Sequence, residues 1–239
     1  MQTYKLRKEK FSELRNRMLV RTIPLGIIAL TIGLGMFYFD ADNSDNKVSV
    51  LLFMVPFCVG AFGFGISKSL IRQKTLFESY TLSISQSKLI REQYNTPIIT
   101  IPFTDISAII KNTDNSFIIK GSTAVAVICV PAQISESASL ERVLSEIYPM
   151  TVKTKELLVQ KLQLPITLLT LGLMAIVYVA TNKILVGISG TIVSGFMIWS
   201  FFQIQRNQSV DRQTKRSSYA VVMVTISLIV ITIYKVLVN

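Results

Sequence analysis

The chain has 239 residues, of which 50% are hydrophobic and only 16% are charged. With a mean hydropathy of +0.49, this composition is too apolar for a soluble globular protein and indicates an integral membrane protein. The sequence has no histidine and only two cysteines, so it lacks the usual general base near neutral pH and the commonest metal ligand. We therefore expect no metal, no other cofactor and no disulfide framework.

Five apolar segments are long enough, or nearly so, to cross the roughly 30 Å hydrocarbon core of a bilayer as helices. In chain order they are residues 19–39, 48–66, 162–180, 184–202 and 219–238. The first segment is too long for a signal peptide and is followed by Asp40 rather than by a small-residue cleavage site, so we predict that it is retained. The sequence thus predicts a five-helix α-helical transmembrane bundle.

Basic residues flank these segments asymmetrically. They are frequent in residues 1–18, 67–161 and 203–218, whereas the opposite side of the membrane would hold only Lys47, Lys183 and Lys235. Because cytoplasmic flanks carry the excess of lysine and arginine, we expect a multi-pass protein of the cell membrane with its N-terminus inside and its C-terminus outside. The net charge of +11 is then a topology signal and an attraction to anionic lipid, and nucleic acid is not an expected partner.

This topology predicts six regions of distinct character. They are a basic cytoplasmic segment (1–18), two transmembrane helices (19–66), a cytoplasmic domain with basic linkers (67–161), two further helices (162–202), a basic cytoplasmic loop (203–218) and a fifth helix (219–239).

The apolar segments contain little chemistry of their own. No Asp, Glu, Lys, Arg or His lies at mid-depth, which weighs against ion-coupled transport. Thr191, Ser194 and Thr225 are the few polar groups that a channel or transporter could use. Small residues four apart, such as Gly187 and Thr191, favour close helix packing within one bundle and also permit homo-oligomers.

The middle of the chain shows a different periodicity. Alternating apolar and polar residues predict strands at 80–85, 89–94, 99–103, 106–110, 117–120 and 124–130. The period then becomes that of an amphipathic helix, whose apolar face is formed by Leu140, Val143, Leu144 and Ile147. Ser137 is the expected N-cap of this helix, and Pro149 is expected to end it.

Four stretches of this region share a hydrophobic pattern with a known family: "YTLSISQSKLIRE", "IPFTDISAIIKN", "SFIIKG" and "VPAQISESASLERVLSEI". In this order, over residues 77–149, they resemble the bacterial pleckstrin-homology-like (PH-like) domains that follow a pair of transmembrane helices in small membrane proteins. The resemblance implies a cytoplasmic α+β domain, with a bent antiparallel sheet closed at one end by the helix. The family fold has seven strands, so a further strand would lie in residues 71–77 or be missing.

Lipid binding could arise in two ways. Many eukaryotic PH domains bind phosphoinositides through a basic cluster near the first hairpin, where this chain has only Lys88 and Arg91. Residues three apart on a strand point to opposite faces, so we expect solvated hairpin charges and no joint phosphate cradle. Contact with anionic lipid is expected instead from the basic residues beside the domain, which are Lys68, Arg72, Lys74, Lys153, Lys155 and Lys161.

No catalytic set emerges from the remaining candidates. Cys129 is expected to be a small core residue, and Asp105 to set a turn. Glu141 and Glu146 are expected on the solvated side of the closing helix. The run "GAFGFG" at residues 60–65 lies in an apolar helix and lacks the lysine of a phosphate-binding loop.

The sequence therefore favours a non-enzymatic integral membrane protein whose PH-like domain is a protein- or membrane-surface-interaction module. Its expected partners are the lipid bilayer and another protein. Two alternatives remain open. A water-filled path would favour a channel, transporter or transport subunit built on the five helices, and a polar pocket would favour an enzyme.

The topology can be tested with single cysteines in a background that lacks Cys58 and Cys129. On intact cells, a membrane-impermeant thiol reagent should label the variants Ser44→Cys and Asn239→Cys, because both positions are predicted outside. Asn115→Cys should react only after permeabilisation. Strong labelling of Asn115→Cys on intact cells would show that the predicted orientation is wrong.

Overall fold

The computed structural model describes residues 1–40, 47–123, 126–152 and 158–238. The chain forms two compact units, each assembled from separate pieces of sequence. The first, which we call the sheet unit, consists of Met1–Glu13, Arg72–Lys161 and Phe202–Ser218. The second, the helical unit, consists of Leu14–Ile71, Leu162–Phe201 and Tyr219–Asn239.

Seven α-helices lie within the described residues. They are α1 (Phe11–Asp40), α2 (Lys47–Glu78), α3 (Ser137–Ile147), α4 (Leu158–Val179), α5 (Lys183–Arg206), α6 (Arg212–Ser217) and α7 (Tyr219–Leu237). Four helical runs are long and apolar enough to cross a membrane, namely Lys8–Gly35, Val50–Glu78, Lys183–Arg206 and Arg212–Leu237. Leu164–Val179, inside α4, is apolar but shorter. By length and composition, these helices fit a helical membrane protein that also carries a sheet unit.

The helical unit has its buried core on α4, α5 and α7. The fully or almost fully buried apolar residues there are Val177, Val186, Val193 and Leu228. Gly190 of α5 lies against Thr232 of α7, where any side chain larger than hydrogen would collide. One turn further along α7, the Lys235 ammonium donates to the backbone oxygens of Tyr178 and Ala180, where α4 ends. A cation at this position satisfies carbonyls that the helix itself cannot pair.

The sheet unit contains two four-stranded sheets. The first has the order β1 (Gln2–Lys5), β2 (Thr81–Ile84), β3 (Lys88–Glu92) and β4 (Ile99–Pro102), with every pair antiparallel. The second has the order β7 (Val127–Val130), β6 (Phe117–Gly121), β5 (Ile106–Lys111) and β8 (Met150–Val152), with β8 parallel to β5. All six strands predicted between residues 80 and 130 are present as β2 to β7, while residues 124 and 125 lie outside the described residues.

The first strand, Gln2–Lys5, comes from the N-terminal residues, for which only a basic cytoplasmic segment was predicted. Gln2 pairs with Ile84 and Lys5 with Thr81 in the antiparallel register of β1 and β2. Tyr4 and the following Leu6 are buried. The alternative that placed a further strand in residues 71–77 is wrong, because these residues continue α2 as far as Glu78. They contain no glycine or proline that would end a helix.

The predicted apolar face of α3 is largely confirmed, since Leu140 and Leu144 are fully buried. The expected N-cap is wrong: Ser137 is the first residue of the helix, and Glu136, in the left-handed conformation with φ of 53°, precedes it without a side-chain cap. Glu141 lies on the predicted polar side of α3 and is partly exposed. Its carboxylate accepts from Lys111 Nζ of β5 at 2.6 Å, which ties α3 to the second sheet.

The contribution of β1 can be measured by truncating its inward-facing side chain. Tyr4→Ala should destabilise the sheet unit by about 3 kcal/mol, since it removes a buried aromatic ring. Thr3→Ala is the matched control, because Thr3 lies on the exposed face of the same strand. In full-length protein in lipid nanodiscs, limited proteolysis within residues 80–130 should accelerate only for Tyr4→Ala. Equal cleavage rates for the two variants would contradict a stabilising role for β1.

Candidate functional site

The connection between β3 and β4 is a tightly built turn, which we call the β3–β4 loop (residues 93–98). Asn95 has φ of 55°, in the left-handed region that asparagine tolerates better than most residues. Thr96 closes the turn, with both its backbone N–H and its hydroxyl donating to Gln93 O, at 3.2 and 2.9 Å. Pro97 then fixes the backbone that leads into β4. The local sequence Asn95-Thr96-Pro97 therefore specifies the shape of this loop.

A buried arginine braces the loop from within. Arg91 is only 2% exposed, and its Nη2 donates to Thr96 Oγ1 at 3.0 Å and to Pro97 O at 3.3 Å. The expectation that Arg91 is a solvated hairpin charge is therefore wrong. Arg91 lies on the inward face of β3 together with Leu89, two residues earlier, while Lys88 is exposed. The two cations therefore point to opposite faces of β3, as their spacing predicts, and Arg91 is the one that points into the core.

The surroundings of Arg91 are nearly closed to water. Its Nε is buried and has no hydrogen-bond partner. Burial lowers the pKa of the guanidinium, an effect that the nearby Tyr80 opposes. Burial also raises the pKa of the Tyr80 phenol well above its usual range, so the phenol remains protonated and donates to Cys129 O at 3.0 Å.

Cys129 itself is exposed between the buried Ile128 and Val130, so its expected place in the core is wrong.

Three further hydrogen bonds attach the β3–β4 loop to other parts of the sheet unit. Gln93 Nε2 donates to Leu76 O at 3.0 Å, and Tyr94 N donates to Ser79 Oγ at 3.0 Å. From the far end of the chain, Arg212 N donates to Asn95 O at 3.0 Å. The loop is therefore fixed at once to the end of α2 and to the start of α6.

The segment between α5 and α7 has a defined fold of its own. Asp211 caps α6 by accepting from Thr214 N at 3.0 Å and from Thr214 Oγ1 at 2.6 Å. Gln205 Nε2 donates to Lys215 O and Ser218 Oγ, both at 3.0 Å, and Lys215 Nζ returns a bond to Gln205 O. These bonds close the segment on itself.

The side chains that this region exposes include two apolar residues and three arginines, beside the polar Asn95, Asn207 and Gln213 and the acidic Glu92. Tyr94 and Ile98, at the two ends of the β3–β4 loop, are 60% and 64% exposed. On the adjoining segment the exposed cations are Arg206, Arg212 and Arg216. This surface could not be predicted from the sequence, because its two halves are more than a hundred residues apart. The available signal was local: exposed apolar residues beside a turn, and arginines at the end of an apolar helix.

The six basic residues predicted to contact lipid lie on different elements. Lys68, Arg72 and Lys74 all belong to α2. Lys68 Nζ lies 5.5 Å from the centroid of the Phe64 ring, and Lys74 Nζ lies 3.9 Å from a Glu78 carboxylate oxygen. Arg72 is half-buried, with its Nε enclosed and without a hydrogen-bond partner. Lys161 belongs to α4, while Lys153 and Lys155 lie outside the described residues.

The polar groups suggested for a transport path bond to their own helices. Thr191 Oγ1 donates to Gly187 O at 2.8 Å, and Thr225 Oγ1 donates to Val221 O at 2.7 Å. Thr191 and Ser194 line a groove of about 360 Å³ beside α7. Among the residues that the structure describes, no three His, Cys, Asp or Glu side chains form a group that could hold a metal ion.

No protein-family model matches the sequence, and no curated protein or solved structure shows a significant match to the chain. What the protein does must therefore be inferred from its own geometry.

The bracing role of Arg91 leads to a test by hydrogen exchange. Arg91→Met keeps the apolar stem but removes both bonds to the loop, a loss of about 2 kcal/mol, so opening of residues 93–98 should become roughly thirty-fold more frequent. Lys88→Met is the matched control, since Lys88 is exposed on the same strand. Exchange measured by mass spectrometry should rise only for Arg91→Met. Unchanged exchange in that variant would show that the loop keeps its shape without the guanidinium.

Proposed function

We propose that the chain is a non-enzymatic integral membrane protein whose sheet unit is a PH-like interaction module on the cytoplasmic face of the cell membrane. One observation supports this proposal most strongly: the N-terminal residues, the middle segment and the segment before α7 belong to one compact unit. A compact unit lies on one side of a bilayer, because unpaired strand edges and loops are not tolerated in the hydrocarbon. The helices between its pieces must therefore carry the chain across the membrane and back.

The requirement that all pieces of the sheet unit lie on one side of the bilayer limits the number of membrane-spanning helices. α1 and α2 lie between the first and second pieces of the sheet unit, and both are long enough to cross. α4 and α5 lie between the second and third pieces, where α5 is long enough and α4 is shorter. If α5 crosses, α4 must cross as well, because the chain returns to the same unit. With α7 added, the proposal is a five-helix bundle whose C-terminus lies opposite its N-terminus.

The order of the strands supports the PH-like assignment. β1 to β4 form one sheet, β5 to β7 form the antiparallel part of the other, and α3 follows β7. This order accounts for the seven strands and closing helix that the resemblance implies. The first strand precedes α1, so two membrane helices would be inserted between the first and second strands of the domain.

The distribution of basic residues supports a cytoplasmic location for this unit. Lysines and arginines are concentrated in the pieces of the sheet unit and in the helix ends that adjoin them, as expected for cytoplasmic segments. The anionic inner leaflet would attract these charges. The module would thus be held at the lipid surface by the linkers, where it can also bind a protein partner. The transport alternative has no comparable support from the described side chains.

Attraction of the linkers to lipid can be tested on the full-length protein in nanodiscs. A donor dye at Asn115→Cys, in a background without Cys58 and Cys129, reports energy transfer to an acceptor on lipid head groups. Transfer should be higher in anionic than in neutral lipid. The difference should vanish near 1 M salt, where screening shortens to about 3 Å.

The controls separate linker charge from other basic residues. Substitution of all six predicted lipid contacts (Lys68, Arg72, Lys74, Lys153, Lys155 and Lys161) by Gln should remove the dependence on anionic lipid. The pair Lys88→Gln and Lys120→Gln, both exposed on the sheets, should leave it intact. If transfer were independent of lipid charge in the unmodified chain, the linkers would not hold the module at the surface.

A further inference from the structure

The start of α6 is fixed near the membrane by the chain itself. Arg212 is the first residue of the apolar run Arg212–Leu237, and α5 ends only six residues earlier, at Arg206. Even a fully extended chain of six residues spans only about 20 Å. Arg212 therefore stays close to the ends of two candidate membrane-spanning helices. Long basic side chains at such positions extend to the head groups.

The hydrogen bond from Arg212 N to Asn95 O brings the β3–β4 loop to the same place. Tyr94 and Ile98 flank Asn95 and are 60% and 64% exposed. A tyrosine and an isoleucine exposed beside arginines at a helix end fit the boundary between lipid head groups and acyl chains. Tyrosine is enriched there because its ring is apolar and its hydroxyl remains hydrated.

The loop is also rigid enough to present these side chains. Buried Arg91 holds Thr96 and Pro97, and Thr96 closes the turn onto Gln93. A preorganised loop loses little conformational entropy when it meets a surface. A flexible loop could instead fold its apolar residues away from the lipid.

We propose that the β3–β4 loop and α6 form a bilayer-contact site. In this site Tyr94 and Ile98 enter the interface between head groups and acyl chains, and Arg212 and Arg216 of α6 lie among the lipid phosphates. The occupant is the surface of the bilayer that α5 and α7 cross, and no specific headgroup is required. The inference rests on the proposed function, because it needs the sheet unit to lie at the membrane surface. It adds that the unit touches the bilayer through its own fold as well as through its linkers.

Depth measurements on the full-length protein in anionic nanodiscs test this site directly. In a background without Cys58 and Cys129, a nitroxide is attached to Ile98→Cys or, as control, to Asn115→Cys in the exposed turn between β5 and β6. The label at position 98 should collide several-fold more with oxygen, which partitions into lipid, than with a water-soluble nickel chelate. The label at position 115 should show the reverse preference.

Substitutions on α6 test the contribution of charge. Arg212→Gln retains the backbone N–H that bonds Asn95, so the loop stays docked while one cation is lost. Combined with Arg216→Gln, it should lower the ratio of oxygen to nickel collisions at position 98. The pair Lys88→Gln and Lys120→Gln should not change that ratio. An unchanged ratio in the α6 variant would exclude the arginines from the contact.

A third label distinguishes failure of this site from failure of the proposed function. Lys74→Cys places a nitroxide on α2, in the basic linker. If position 98 is as water-exposed as position 115 while position 74 lies at headgroup depth, the bilayer-contact site is wrong and the linker attachment stands. If positions 74 and 98 are both fully in water, the proposed attachment to the membrane surface fails as well.

Discussion

The antiparallel pairing of β1 with β2 is the constraint on which the rest of the structure depends. Residues 2–5 hydrogen-bond to residues 81–84, although α1 and α2 lie between them in sequence. The pairing requires these two helices to return the chain to the sheet unit. The third piece, Phe202–Ser218, adds the same requirement for α4 and α5. Main-chain hydrogen bonds within the sheet unit thus set limits on how the apolar helices can be arranged.

Burial of Arg91 is energetically unfavourable, but its hydrogen bonds define the conformation of the β3–β4 loop. Burying a guanidinium carries a large desolvation cost, and here only part of its donor capacity is satisfied. Its two bonds to Thr96 and Pro97 fix the loop that Arg212 also holds. An apolar residue at this position would fit the core but would leave the loop without its inner brace. The charge therefore contributes more to the shape of the surface than to the stability of the core.

Much of the sheet unit was predictable from local periodicity. Strands β2 to β7 follow alternating residues, and the buried Leu140 and Leu144 follow the helical period of α3. Periodicity does not indicate contacts between distant residues or the backbone geometry at the start of a helix. The Lys111–Glu141 pair joins β5 to α3, and Ser137 is not the cap because the backbone already turns at Glu136. Neither result can be deduced from residue type, because both depend on how the chain approaches from outside the element.

Composition and periodicity by themselves determined that the chain is apolar enough for a membrane, where its long apolar helices and strands β2 to β7 lie, and which face of α3 is buried. These are local properties, since hydropathy and a period of 2 or 3.6 residues act over one element. Only the tertiary structure decided that the N-terminus supplies β1, that Arg91 points inward, and that α6 meets the β3–β4 loop. Each of these depends on backbone or side-chain hydrogen bonds whose partners are specified by the fold and not by nearby residues. The surface formed by Tyr94, Ile98 and Arg212 therefore exists only once the second and third pieces of the sheet unit have come together.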